Sequence, residues 1–119
     1  MFVRPDPNTP TKAYGTDGAL TCTGVVVTMP DGTIAIFHFQ PGEDGASTLS
    51  KYQFPAGSVF VVFGGTNDDS SINTLTGVLL YVGALQRNHG MTFYTLPFAQ
   101  SVWVDKDGNW KWQDDPQKH

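Results

Sequence analysis

The segment TCTGVVVTMPDGTIAIFHF, Thr21 to Phe39, decides the fold. Two β-branched runs, one around Val25, Val26 and Val27 and one around Thr33, Ile34 and Ile36, flank Met29-Pro30-Asp31-Gly32. Proline presets φ, aspartate bonds its local backbone and glycine accepts positive φ, so the junction reads as the turn of a β-hairpin. If Met29 pairs with Thr33, Cys22 faces Gln40 across the ribbon and Gly24 faces His38. Cys22 and His38 then share one face as diagonal neighbours, about 7–8 Å apart at Cα. A bulge at Gly32 would shift the register by one residue and separate them.

Outward from the hairpin, residues 1–15 carry three prolines in the first ten positions. Proline excludes a regular helix there, so this reads as an extended arm with a short edge strand. Beyond the hairpin, QPGEDGAST reads as a loop. Ser58 to Phe63 is a continuous apolar run, expected as a strand buried on both faces and ended by Gly64-Gly65. Asp68, Asp69, Ser70 and Ser71 offer N-caps. Ile72, Leu75, Leu79, Val82 and Gln86 follow at roughly helical spacing, with Gly90 as the stop. Thr76, Val78, Tyr81 and two glycines keep a strand at 77–82 open as the alternative. Met91–Leu96 and Ser101–Asp105 read as strands, and Asp107-Gly108 turns the chain into Trp110–Trp112.

Some six strands and one principal helix predict an α+β fold, a mostly antiparallel sheet or β-sandwich with one packed helix. A chain of 119 residues suits one domain. The expected boundaries are an arm at 1–15, a single domain at 16–113 and a loose tail at 114–119.

Only 15% of residues are charged and the net charge is -4. That balance argues against nucleic acid or an anionic membrane as partner. No apolar stretch approaches the length of a membrane span, and the first fifteen residues lack the apolar core of a secretory signal. The single cysteine excludes an internal disulfide and leaves a free thiol.

Chemistry concentrates on that thiol. A thiol of ordinary pKa, about 8.5, is mostly protonated at neutral pH and needs a base to become a nucleophile. His38 would take the proton, the thiolate would attack a carbonyl carbon, and the imidazolium would protonate the leaving amine. Backbone N–H groups near Thr21 and Thr23 would stabilise the oxyanion, and Gln40, opposite Cys22, is a candidate substrate contact. The bland readings stay open beside this one. A lone cysteine is commonly a small buried hydrophobe, and His38 among Ile36, Phe37 and Phe39 also suits a satisfied core histidine. Cys22, His38 and His89 lack zinc-ligand spacing, so no metal is expected, and His89 reads as the end of the helix. Trp110 and Trp112 share one side of their strand, as core packing or, if exposed, as a docking face for a protein.

The run Thr16-Asp17-Gly18-Ala19-Leu20-Thr21-Cys22, followed by a hairpin ending Ile36-Phe37-His38-Phe39, resembles the chemoreceptor glutamine deamidase CheD. It is also similar to the catalytic domains of the cytotoxic necrotizing factor and Burkholderia lethal factor toxins. Phe63-Gly64-Gly65-Thr66 resembles that family's strand ending in Gly-Gly-Ala, and the likeness runs from about residue 14 to 112. The resemblance implies a CheD/necrotizing-factor-like fold with Cys22 as nucleophile, His38 as general base and acid, and Thr16 orienting the imidazole. It implies hydrolysis of a glutamine side-chain amide on a protein through a thioester, releasing ammonia, without metal or organic cofactor. Transglutamination is a close relative of that reaction. Leu20-Thr21 stands where CheD carries Gly-Ser, which favours a bacterial effector or toxin over a chemotaxis enzyme. Such a protein would occupy the bacterial cytoplasm before delivery and the target-cell cytosol afterwards. The alternatives are a non-catalytic protein-binding module with a structural Cys22, and a cysteine hydrolase of small amides or esters.

Overall fold

Val25, Val26 and Val27 expose no surface at all, which requires an apolar layer on each side of the strand that carries them. The computed structural model, which describes residues 1–5, 8, 13–17, 19, 21–65 and 69–114, supplies both layers. In chain order the elements are β1 (Phe2–Val3), β2 (Ala13–Thr16), β3 (Thr23–Thr28), β4 (Ile34–Phe39), α1 (Gly45–Leu49), β5 (Val59–Gly64), α2 (Asp69–His89), β6 (Thr92–Leu96), β7 (Ala99–Asp105) and β8 (Trp110–Asp114). One sheet runs β1-β4-β3-β5-β6 and the other β2-β7-β8. Every pairing is antiparallel except β5 with β6, the two strands joined through α2. The fold is α+β, with mostly antiparallel sheets and α2 as the main helix.

Alternation along the strands sorts the side chains into two cores. Val25, Val27, Phe37, Phe39, Phe60 and Val62 meet Val78 and Val82 of α2. Val26, Ile34, Ile36, Val61 and Phe63 point the other way, onto Tyr14, Val102 and Val104 of the smaller sheet. The layers are therefore helix, large sheet, small sheet.

The hairpin adopts the expected register without a bulge, pairing Thr23 with Phe39 and Gly24 with His38. Met29 N–H donates to the Thr33 carbonyl at 2.9 Å. The Asp31 carboxylate accepts from Thr33 N–H at 2.9 Å, the local bond for which aspartate suits such turns. Residues 69–89 are helical, so the strand alternative at 77–82 does not form. The helix stops at Gly90, whose φ of 70° a side chain would resist.

Two expectations are corrected. The fully buried line of α2 is Ser71, Thr74, Val78, Val82 and Gly83; of the residues read at helical spacing, Leu75 and Leu79 pack beside Val82 on the same core, while Ile72 stands off it. Ile72 is 44% exposed, because a helix resting on a sheet buries one narrow face and Ile72 lies beside it. The segment from Gln40 is not a plain loop either. Gln40-Pro41-Gly42-Glu43 closes a turn through Glu43 N–H to the Gln40 carbonyl at 3.0 Å. Gly42 has a φ of 84°, so Pro and Gly occupy the positions that a type II turn favours. α1 follows, capped by Asp44, whose carboxylate accepts from Ser47 N–H at 3.0 Å, and it buries Leu49 completely. Proposed caps and motif residues Gly18, Leu20, Thr66 and Asp68, and tail residues 115–119, lie outside the described residues.

The turn from β7 to β8 is organised by one carboxylate. Asp105 accepts from the N–H groups of Asn109 at 3.0 Å and Asp107 at 2.9 Å. These bonds, that from Asn109 first, hold its carboxyl below the ordinary aspartate value of 3.8. The stabilisation is thus fully present above that value and is lost as pH falls through the lower folded one. Asp105→Ala is expected to lower the melting temperature at neutral pH, and the gap to the unmodified protein should narrow in acid. Thermal unfolding followed by circular dichroism at both pH values checks this.

Candidate functional site

Cys22 sits at the mouth of β3, at the end of the large sheet where β4 and β5 finish and α2 begins. Its position depends on Gly64. A Cβ at Gly64 would lie 2.6 Å from the Cys22 carbonyl oxygen, and Gly64 has a φ of 75°. Only glycine lets β5 end hard against the loop that carries the thiol. From its other side the loop is tied to β7, where Ala19 N–H donates to the Gln100 carbonyl at 2.9 Å.

The in-register hairpin puts His38 opposite Gly24, on the face turned toward the smaller sheet. Gly24 has no side chain because the ring of Phe63 fills that place; a Cβ there would meet Phe63 Cε1 at 2.6 Å. Cys22 and His38 therefore flank the Phe63 ring on one face.

Thr16, the last residue of β2, reaches this face from the smaller sheet. Its Oγ1 and the Nδ1 of His38 are 2.9 Å apart, a hydrogen bond between residues 22 positions apart in the chain. The imidazole is exposed, so His38 is not a histidine satisfied inside the core. Cys22 is 8% exposed. Its thiol donates to Oε1 of Gln40 at 3.6 Å rather than to His38, and among the described residues no hydrogen bond joins thiol and imidazole.

The other candidates divide. Gln40 is brought to the thiol. Thr21 is exposed on the bend before Cys22. Thr23 turns its side chain to the helix face, where Oγ1 is buried and has no hydrogen-bond partner among the described residues. The adjoining Gly65 leaves room for it, since a Cβ there would strike that oxygen. Only the backbone of Thr23 could serve chemistry on the Cys22 side. His89 ends α2, whose first turn packs beside Thr23. A helix of 21 residues places its two ends about 30 Å apart, so Cys22, His38 and His89 cannot share a metal ion.

Trp110 and Trp112 do not act alike. Trp110 packs on the inter-sheet core, while Trp112 is 53% exposed. Both border a cleft of about 730 Å³ between the open edges β6 and β8, with Tyr94 and Leu96 opposite. Periodicity in β8 set the two indoles on one side, but only the offset between the sheets decides which of them the sandwich covers.

No family model matches the chain, and no curated protein matches its sequence. No helix among the described residues is long and apolar enough to cross a membrane.

Proposed function

We propose that the protein is a protein-glutamine deamidase in which Cys22 is the nucleophile, His38 the general base and acid, and Thr16 the residue that positions the imidazole. One observation carries the reading: the 2.9 Å contact from Thr16 to His38, made on the face that holds Cys22. With Nδ1–H donating to Thr16, the lone pair of Nε2 is free to take the thiol proton. Unliganded sites commonly hold such groups looser than the reaction requires, and the thiol here is engaged by Gln40 instead. The resemblance to the CheD and toxin deamidases supports the same assignment, and with it a protein substrate bearing an exposed glutamine. Ammonia leaves through a thioester, no cofactor takes part, and the setting is that of a bacterial effector.

A Thr16→Val variant keeps the side-chain volume but removes the hydroxyl. It is expected to slow ammonia release from glutamine-bearing proteins about fivefold to tenfold, the rate equivalent of one hydrogen bond of about 1 kcal/mol. Thr16→Ser should restore most of the loss. Iodoacetamide labelling of the folded protein supplies the decisive control: a thiol that reacts no faster with His38 present than with His38→Ala would end the reading. The competing reading, a binding module, draws on the half-open Trp112 and its cleft, and it gains if that control fails.

A further inference from the structure

The side chain that accepts a hydrogen bond from the thiol is itself a primary carboxamide. Gln40 follows β4 directly, and continuing the register by one step from the Thr23–Phe39 pair sets it opposite Cys22. Directly facing residues on antiparallel strands hold their Cβ atoms about 4.5–5.5 Å apart. The thiol lies 3.6 Å from Oε1 of Gln40. Both backbone polar groups of Gln40 are tied down. Its N–H donates to the Glu43 carboxylate at 3.0 Å, and its carbonyl accepts from Glu43 N–H at 3.0 Å. Pro41 and Gly42 complete the turn, so the residue is anchored where it meets sulfur. The buried thiol is thus hydrogen-bonded to the functional group on which the proposed reaction acts.

We propose that Gln40 is this site's own substrate: Cys22 attacks the Gln40 carboxamide, forms an intramolecular thioester, and water then converts Gln40 to glutamate. The inference rests on the reading of Cys22 and His38 as nucleophile and base. His38 takes the thiol proton, and the sulfur lone pair forms a bond to Cδ while the carbonyl pair moves onto oxygen. Collapse of that intermediate breaks the C–N bond, and the nitrogen leaves as ammonia with the proton from the imidazolium. Water adds to the thioester, the C–S bond breaks, sulfur recovers a proton, and a carboxylic acid remains at residue 40. One water is consumed and one ammonia released, with no change of oxidation state. Holding the reactants on facing strands supplies the proximity that such chemistry needs; well-oriented intramolecular pairs reach effective concentrations of about 10⁵ M and above. The product is a carboxylate beside the thiol, so one turnover changes the charge of the site. An external glutamine must displace or outlast Gln40 to reach sulfur.

Intact mass and peptide mapping of the freshly purified folded protein test this, with and without methylamine and with hydrolysis in heavy-oxygen water. The expected result is a species lighter by one ammonia, or the Gln-to-Glu mass change at residue 40 with one heavy oxygen incorporated. Methylamine should be captured at residue 40. Cys22→Ser and Gln40→Ala should show none of these. An unmodified Gln40 in the unaltered protein, or conversion at the same rate in Cys22→Ser, overturns the proposal. The Gln40→Ala variant cannot form the thioester, so its alkylation rate with and without His38 reads the nucleophile and base alone. His38-dependent alkylation together with an intact Gln40 defeats self-modification and leaves the deamidase reading standing. Alkylation indifferent to His38, with an intact Gln40, defeats both.

Discussion

His38→Ala is expected to reduce ammonia release by about 10²- to 10⁴-fold, the usual contribution of a positioned acid–base group, without unfolding the protein. The two halves of that expectation have separate physical sources. The imidazole is exposed and makes its side-chain hydrogen bond to Thr16, so removing it forfeits little buried area. Exposed substitutions of this kind usually change stability by no more than about 0.5 kcal/mol. Its loss to the reaction is larger because it acts twice, removing the thiol proton and returning one to the departing nitrogen. Without it, both transfers fall to water. Matching melting curves with a collapse of ammonia release is the expected pair of results. A variant that keeps its rate within a few-fold assigns the proton transfers elsewhere, and Cys22 then has no base among the residues named.

Phe63→Ala should produce the largest loss of stability, about 3–5 kcal/mol from the deleted ring and the cavity it leaves. For a domain of this size that lowers the melting temperature by something on the order of 15 °C. Phe63 is completely buried between the two sheets, with its ring over the backbone of Gly24. The same contact predicts the reciprocal effect. Gly24→Ala pushes a methyl group into the ring and should cost about 1–3 kcal/mol, as overpacking does. The two changes should not add. In the Phe63→Ala background the methyl at residue 24 enters vacated space, so the double variant should be more stable than the sum of the single losses implies. Denaturant unfolding of the four proteins measures this coupling. Strict additivity would mean that the ring does not rest on Gly24, and the spacing of Cys22 and His38 on either side of it would lose its physical basis.

The hairpin was readable from residues 21–39 because each ingredient is local. Pro30-Asp31-Gly32 is a turn by its own torsional preferences, the β-branched runs are strands by theirs, and a tight turn sets the register by counting. From that register came the shared face of Cys22 and His38 and the facing of Cys22 with Gln40, both present in the structure. The stop of α2 at Gly90 was readable for the same reason. α1 escaped because Pro41 and Gly42 mark the segment before it as a turn, and a five-residue helix is too short to leave a periodic signal. Its one mark in the sequence is Asp44 three residues before Ser47, a cap pattern of the kind that precedes longer helices.

What no local pattern could decide is which layer each face meets. Cys22 and His38 lie toward the smaller sheet, and Thr23 lies toward α2, because sheets and helix stack in one order out of several that the same hydrophobic pattern permits. Thr16 reaches His38 only through that stacking, since β2 pairs with β7 and not with the hairpin. The sequence by itself determined the ribbon, its register and the side on which its chemistry stands. The tertiary structure decided what that side faces, because contacts between residues far apart in the chain depend on how whole layers close over one another.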